Sequence, residues 1–216
     1  MTTEKISVAD GTTMPAYCAR PSADQRPVGV IVAHELFGVN PDIHAPPGRW
    51  LERDDEGRRE GFTYLNRLGR DQALADVAAA LDWLRGQVDR VAMVGFSAGG
   101  HLSYLAACRL PIDRVAVLYG GWLPTTDIPM SQPTPTLDLT PGMTGRLLYL
   151  VGEDDALIDA AQRDQIGTAL RDAGIRHELV GYPGTEHAFF WPGTPPFRRQ
   201  ARDDAWSRIL ALLADG

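Results

Sequence analysis

The sequence has few cysteines, no long apolar run and no excess of positive charge. Its two cysteines, Cys18 and Cys108, are too few for a disulfide framework, and we expect buried free thiols in a reducing cytoplasm. No apolar run approaches the roughly 20 residues that span a bilayer, and the first residues lack the pattern of a signal peptide. A net charge of −7 argues against nucleic acid or an anionic membrane as the partner. We therefore expect a cytoplasmic protein that binds neither.

The rest of the chain has the composition and the pattern of an α/β protein. Its 216 residues, 44% of them hydrophobic, suffice for one domain with a real core, predicted over residues 1–216. After a hairpin, strands alternate with helices, which predicts a mostly parallel, doubly wound sheet flanked by helices. Strands are predicted at 5–8, 14–19, 28–33, 91–95, 115–119, 146–151 and 176–180. Helices are predicted at 71–85, directly after residue 97, at 159–173 and at 197–213. The last helix is expected to group Ala205, Trp206, Ile209, Leu210 and Leu213 on one face.

The stretch from Val91 to His101 is where the predicted chemistry begins. A buried strand runs into Gly95-x-Ser97-x-Gly99, and a helical apolar pattern follows. A serine in a tight strand-to-helix turn is the context that a nucleophile elbow requires, because side chains at the flanking glycines would leave no room. The helix N-terminus would also offer free N–H groups to a developing oxyanion. The alternative is a Gly-rich turn with an incidental serine.

Two later loops supply an acid and a base. Asp154, Asp155 and Asp159 follow the predicted strand at 146–151, and His187 follows the strand at 176–180. The order Ser, Asp, His is that of the α/β-hydrolase triad, and chemistry collects at the carboxyl ends of parallel strands. Ser97 would attack, His187 would accept and return the proton, and an aspartate would orient the imidazole. His101, in the first turn of the elbow helix, is a competing base that would have to reach back over its own helix.

Together these motifs resemble the dienelactone hydrolase family of α/β-hydrolases. The matching pieces span nearly the whole chain: the Asp10-Gly11 hairpin, His34-Glu35-Leu36-Phe37-Gly38-Val39-Asn40, Gly95-Phe96-Ser97-Ala98-Gly99-Gly100, Gly152-x-x-Asp155 and Glu186-His187-Ala188-Phe189. The resemblance implies a hydrolase of small esters or lactones that needs no cofactor and no metal. No HxxxH or CxxC spacing indicates a metal site either.

The resemblance also assigns roles to individual residues. It selects Asp155 as the acid, because the family's aspartate stands three residues after the glycine. It implies an oxyanion hole from the backbone N–H groups of Ala98 and Leu36, and the positions of the two loops agree with that. Glu35 matches a glutamate that contacts the resting nucleophile in the family. Its alternative is a capping or salt-bridged carboxylate.

The sequence departs from the family at the nucleophile and at substrate recognition. Ser97 stands where the type enzymes carry cysteine, so thiolate chemistry is excluded and His187 must act as base in the attack. Trp191 replaces the arginine that binds the substrate carboxylate, which favours an apolar or aromatic ester pocket. Its possible lining is Trp122, Phe189, Phe190 and Trp191, with plain core packing as the alternative. Arg59 matches another carboxylate-binding arginine, although the charges from 52 to 60 also fit a solvated helix face.

A third departure concerns the segment after Asn40. The family has a helix and a further strand there, whereas in this sequence Ile43 meets His44 directly. Too few residues are present for that helix-strand unit. Either residues are missing at this junction, or the chain carries an unusual truncation. A true truncation would predict a rebuilt sheet or an exchange of strands between chains.

The sequence therefore predicts a serine hydrolase that cleaves a small carboxylic ester or lactone through an acyl-enzyme. A monomer or a homodimer is expected. A non-catalytic hydrolase-like binding module is the alternative from another class. A peptidase or an acyltransferase is the alternative within enzymes, because the same triad serves all three reactions.

Overall fold

The computed structural model describes residues 2–20, 28–38 and 51–214. Its seven strands are β1 (Thr2–Ser7), β2 (Thr13–Cys18), β3 (Gly29–Ala33), β4 (Val91–Phe96), β5 (Arg114–Leu118), β6 (Arg146–Gly152) and β7 (His177–Tyr182). Its α-helices are α1 (Asp55–Leu65), α2 (Arg70–Arg85), α3 (Ala98–Arg109), α4 (Ala160–Asp172) and α5 (Arg199–Ala214). Within these residues, no helix is both long and apolar enough to cross a membrane.

Five strands form one parallel sheet in the order β3-β4-β5-β6-β7. Strands β4, β5 and β6 lie inside the sheet and are buried almost throughout, which explains their continuous apolar runs. The predicted α/β architecture is thus confirmed. Because all five strands run in the same direction, the residues that follow β4, β6 and β7 lie on the same side of the sheet, at the carboxyl ends of the strands.

The N-terminal hairpin is separate from this sheet. Strands β1 and β2 pair with each other in antiparallel register as a two-stranded sheet. Their turn uses Gly11, at a φ of 85°, and the Asp10 side chain accepts a hydrogen bond from the Thr12 N–H. Within the described part of the chain, strand β3 pairs only with β4, and the side chain of Val32 on β3 is 50% exposed. Residues Ile43 and His44, where the sequence predicts a missing unit, lie outside the described residues.

The core lies between the sheet and its helices, and α5 corrects one prediction. The buried face of α5 consists of Ala201, Ala205, Ile209 and Leu212. Trp206 and Leu210, expected on that face, are 45% and 47% exposed. The predicted stripe was too wide because Trp206, Leu210 and Leu213 each follow a buried position by one residue and so lie to one side of the contact line. Of these three, Leu213 is partly buried and packs against the core.

Candidate active site

The turn at Ser97 has the strained geometry of a nucleophile elbow. Strand β4 ends at Phe96, α3 begins at Ala98, and Ser97 between them adopts φ 53° and ψ −114°. Such a conformation costs a non-glycine residue about 1–3 kcal/mol and persists only where the surroundings enforce it. A Cβ at Gly95 would overlap the carbonyl of Gly99, and a Cβ at Gly99 would overlap the carbonyls of Ala33 and His34. Both glycines are therefore required by close backbone packing.

Ser97, His187 and Asp155 are joined by two hydrogen bonds. Ser97 Oγ lies 2.9 Å from His187 Nε2, and His187 Nδ1 lies 2.7 Å from Asp155 Oδ2. The carboxylate can only accept, so Nδ1 carries the proton and Nε2 accepts from the serine hydroxyl. The Asp155 side chain is fully buried, whereas that of His187 is 22% exposed. The arrangement matches the relay of nucleophile, base and orienting acid.

Backbone contacts between their loops bring the acid and the base together. The N–H groups of Glu153 and Asp154 donate to the carbonyls of Tyr182 and Thr185 at 2.9 and 3.0 Å. A Cβ at Gly152 would overlap the Thr185 carbonyl, so only glycine allows this approach. The second oxygen of Asp155 accepts from the Leu157 N–H at 2.8 Å, which fixes the carboxylate.

The neighbouring aspartates have other positions. Asp154 is exposed, and Asp159 caps α4 by accepting from the Gln162 N–H at 2.8 Å. Asp155 is thus the aspartate of this loop that reaches the imidazole.

The two candidate oxyanion donors flank the elbow. Ala98 is the first residue of α3, so its N–H has no acceptor within the helix. Leu36 lies in a turn after β3 that is closed by a hydrogen bond of 3.1 Å from the Gly38 N–H to the Glu35 carbonyl. Helix α1 packs against this turn. A Cβ at Gly61 would lie 2.7 Å from Leu36 Cγ and 2.9 Å from its carbonyl oxygen.

Glu35 is ion-paired beside the site. Its side chain is 5% exposed, and Oε1 lies 2.9 Å from Nη2 of Arg53. The Arg53 guanidinium also lies 5.9 Å from the ring centroid of Trp191. Burial raises the pKa of Tyr119, and so does the nearby Glu35 carboxylate, while Arg53 opposes the effect. The Tyr119 ring also packs edge-on against His187, with ring centroids 5.0 Å apart.

The predicted lining residues fall into two groups. Phe189 is fully buried between Tyr119 and Tyr182, and Phe190 and Trp191 pack on Phe96 with 8% and 7% exposure. These three rings are therefore packed in the main core, as in the alternative interpretation of the sequence. Trp122, by contrast, is partly exposed and meets Phe62 edge-to-face.

Two further candidates lie away from the reacting groups. Arg59 is exposed on α1. His101 is fully buried, and its ring nitrogens bond to the Gly121 carbonyl at 2.8 Å and to Thr136 Oγ1 at 2.9 Å. Burial lowers the pKa of His101 to about 4. Both nitrogens are occupied, so His101 serves the packing of α3. Over the described residues, no cluster of three or more His, Cys, Asp or Glu side chains could hold a metal ion.

Sequence reasoning missed Arg53, Tyr119 and the contact surface of α1. Arg53 belongs to the run of charges at 52–60, and the pattern of that run indicates a solvated helix face. A signal for the α1 contact was present, because Gly57 and Gly61 stand four residues apart in a helical segment. Glycines at that spacing share one helix face and allow close backbone approach. No signal in the sequence indicated the partner of Glu35.

Comparisons with known proteins agree with this geometry. The sequence model of the dienelactone hydrolase family matches residues 41–215. A protein of Escherichia coli K12 with the provisional name carboxymethylenebutenolidase is 30% identical, over 94% of this chain and 82% of its own. A Bradyrhizobium protein, provisionally named 2-oxo-3-(5-oxofuran-2-ylidene)propanoate lactonase, is 28% identical over 99% of this chain and 96% of its own.

Solved structures give the same assignment. A provisionally named dienelactone hydrolase from Klebsiella pneumoniae superposes with a TM-score of 0.81 at 26% identity, covering 100% of this chain and 99% of its own. A dienelactone hydrolase-like promiscuous phosphotriesterase from metagenomic libraries reaches 0.73 at 19% identity, covering 99% and 97%, and supports the fold alone. The chain therefore belongs to the dienelactone hydrolase family, a family of carboxylic ester hydrolases, and has the α/β-hydrolase fold.

Proposed function

We propose that the protein is a serine hydrolase that cleaves a small carboxylic ester or lactone through an acyl-enzyme, with Ser97, His187 and Asp155 as its triad. The observation that carries this proposal is the continuous path of hydrogen bonds from Ser97 Oγ through the imidazole to the buried carboxylate, at 2.9 and 2.7 Å. The lactonase and carboxymethylenebutenolidase names of the relatives support the substrate class.

In acylation, His187 Nε2 accepts the proton of the Ser97 hydroxyl as Oγ bonds to the substrate carbonyl carbon. The carbonyl oxygen becomes an oxyanion, and the N–H groups of Leu36 and Ala98 donate to it. As the tetrahedral intermediate collapses, the imidazolium gives its proton to the leaving alkoxide oxygen. An ester releases an alcohol, whereas the alkoxide of a lactone remains tethered to the acyl group.

In deacylation, His187 acts as base a second time. It accepts a proton from water as the water oxygen bonds to the acyl carbon, and the new tetrahedral intermediate expels Ser97 Oγ, which takes the proton back from the imidazolium. The product is a carboxylic acid, or a hydroxy acid from a lactone. Throughout the cycle, the Asp155 carboxylate holds the Nδ1 proton and stabilises the positively charged ring.

Labelling and turnover with the Ser97→Ala variant test the proposal. A fluorophosphonate probe should label the wild-type protein once, at Ser97, and should not label Ser97→Ala. The same substitution should lower kcat for phenyl acetate by about 10⁶-fold without changing the circular dichroism spectrum. Absence of labelling in the folded wild type would favour a non-catalytic binding module. Esterase activity retained by Ser97→Ala would contradict the assignment of the nucleophile.

A further inference from the structure

Two aromatic rings form an apolar surface beside the elbow. Phe62 on α1 and Trp122 in the loop after β5 meet edge-to-face, with ring centroids 6.4 Å apart and planes at 90°. Both side chains are partly exposed. Trp122 adopts a φ of 59°, a left-handed conformation that a bulky residue takes only when its surroundings enforce it. We call these two residues the Phe62–Trp122 pair.

This pair lies on the same side of the elbow as the candidate oxyanion donors. Leu36, Ala98, Phe62 and Trp122 all pack against one small cluster of buried apolar residues, which includes Leu65 and Leu105. Gly61 closely approaches Leu36, and Phe62 is the next residue on α1. Tyr119, whose ring contacts the imidazole, and Phe189, which packs on Tyr119, belong to the main core cluster instead.

The direction of the reaction decides which part of a substrate meets the pair. His187 must protonate the leaving oxygen, so the leaving group lies on the side of the imidazole. The carbonyl oxygen points at the N–H groups of Leu36 and Ala98. The remaining substituent of the tetrahedral carbon is the acyl group, which occupies the corner away from the leaving group and therefore away from His187.

We infer that the Phe62–Trp122 pair binds the acyl portion of the substrate and selects uncharged alkyl or aryl acyl groups. This inference rests on the proposed function. Two aromatic rings favour burial of a hydrocarbon or an aryl face, and neither carries a charge that could pair with an ionised acyl group. Phe62 is thus assigned as a specificity-determining residue that makes contact through its ring.

The test varies the acyl group at a constant leaving group. kcat/KM is measured for p-nitrophenyl acetate, butyrate, hexanoate and benzoate with the wild type, Phe62→Ala and Phe62→Leu. The control variant is Tyr64→Ala, which removes an aromatic ring from the same helix where it is 43% exposed and bonded to Glu60. A second series of acetates with phenyl, naphthyl and ethyl leaving groups separates the two sides of the substrate.

Phe62→Ala should lower kcat/KM for the hexanoate and the benzoate by about tenfold or more relative to the acetate, because each lost apolar contact reduces discrimination. For the same esters, kcat/KM of Phe62→Leu should lie between the values of the wild type and of Phe62→Ala. Tyr64→Ala should keep the wild-type acyl preference. An equal loss with every ester, or a change that follows the leaving-group series, would overturn the acyl assignment while wild-type labelling at Ser97 still stands. A wild-type protein that is neither labelled nor active on any ester would overturn the proposed function, and the acyl site with it.

Discussion

Nη2 of Arg53 lies 2.9 Å from Oε1 of Glu35, a carboxylate that is almost completely buried one residue before the candidate oxyanion donor Leu36. Burying a carboxylate costs several kcal/mol unless a cation and hydrogen bonds compensate it. This relationship places a charge pair in the wall of the site, where the sequence alone indicated either a nucleophile contact or a salt bridge. The structure shows the salt bridge.

Arg53→Met should therefore destabilise the protein more than loss of both charges does. Removing the cation leaves the buried Glu35 charge less compensated, and we expect the free energy of unfolding to fall by about 2 kcal/mol, since Arg53 is itself a quarter exposed. The double variant Glu35→Gln/Arg53→Met should recover at least half of that loss. Urea denaturation of the wild type, both single variants and the double variant measures the coupling. If the losses in the two single variants add up to the loss in the double variant, the two side chains have no coupling energy and the ion pair does not stabilise the protein.

Asp155→Asn should remove the orienting carboxylate while leaving the shape of the side chain. An amide cannot fix the same tautomer of His187, and kcat should drop by about 10⁴-fold. The matched control is Asp154→Asn, one residue earlier and exposed, which should stay within about threefold of the wild type. Steady-state kinetics on an aryl ester compares the two. A larger loss of kcat in Asp154→Asn than in Asp155→Asn would assign the role of the acid to Asp154.

Gly61→Ala should impair the chemical step from outside the triad. The added methyl would stand 2.9 Å from the Leu36 carbonyl oxygen, so the oxyanion turn has to shift. If the Leu36 N–H loses its alignment, kcat should fall by about 10²-fold, the usual effect of losing one oxyanion donor.

The control for Gly61→Ala is Gly86→Ala. Gly86, at the end of α2, has ordinary helical geometry, and a Cβ there would meet nothing closer than 3.5 Å. Unchanged kcat in Gly61→Ala, with normal thermal stability, would show that α1 does not position the oxyanion turn.

His101 should make the protein less stable in mild acid. Its pKa is lowered from 6.5 to about 4 by burial, so the unfolded chain binds more protons than the folded one between these values. The contribution of His101 to the free energy of unfolding is therefore fully present above about pH 6.5. It is lost as the pH falls to about 4, and the total loss is roughly 3 kcal/mol.

Urea denaturation at pH 7 and pH 4.5 compares the wild type with His101→Gln, which lacks the titrating group. The wild type should lose more stability between these pH values than the variant does. If the variant does not fold, ring-proton NMR of the wild type serves instead, and a His101 resonance titrating near pH 6.5 would contradict the expectation.

The sheet and the loops that carry the candidate triad were predictable because their signals are local. The apolar runs of β4 to β6 and the glycines around Ser97 encode buried strands and a crowded turn, whatever the rest of the chain does. The choice of Asp155 over Asp154 needed the family pattern, since both follow β6 and only the fold decides which one is buried.

The surroundings of the site were less predictable, because they depend on which elements pack together. Arg53 and Glu35 are far apart in the chain, and nothing in either segment indicates the other. The exposure of Trp206 on α5 likewise reflects where the helix meets the sheet, which periodicity gives only to within a residue or so. Aromatic residues were the hardest to interpret. Phe189 is buried in the core and Trp122 is partly exposed, although the sequence predicts both as lining of the same pocket.

Among the strands of the described residues, β3 lies at one end of the five-stranded sheet, with Val32 half exposed, and it leads directly to the turn that contains Leu36. End strands open more readily than interior ones, and their amide protons exchange with solvent sooner. One half of the proposed anion-stabilising pair is thus attached to an end strand of the sheet, and the other half to the interior strand β4. Local breathing at this boundary would disrupt the candidate site long before the protein unfolds as a whole.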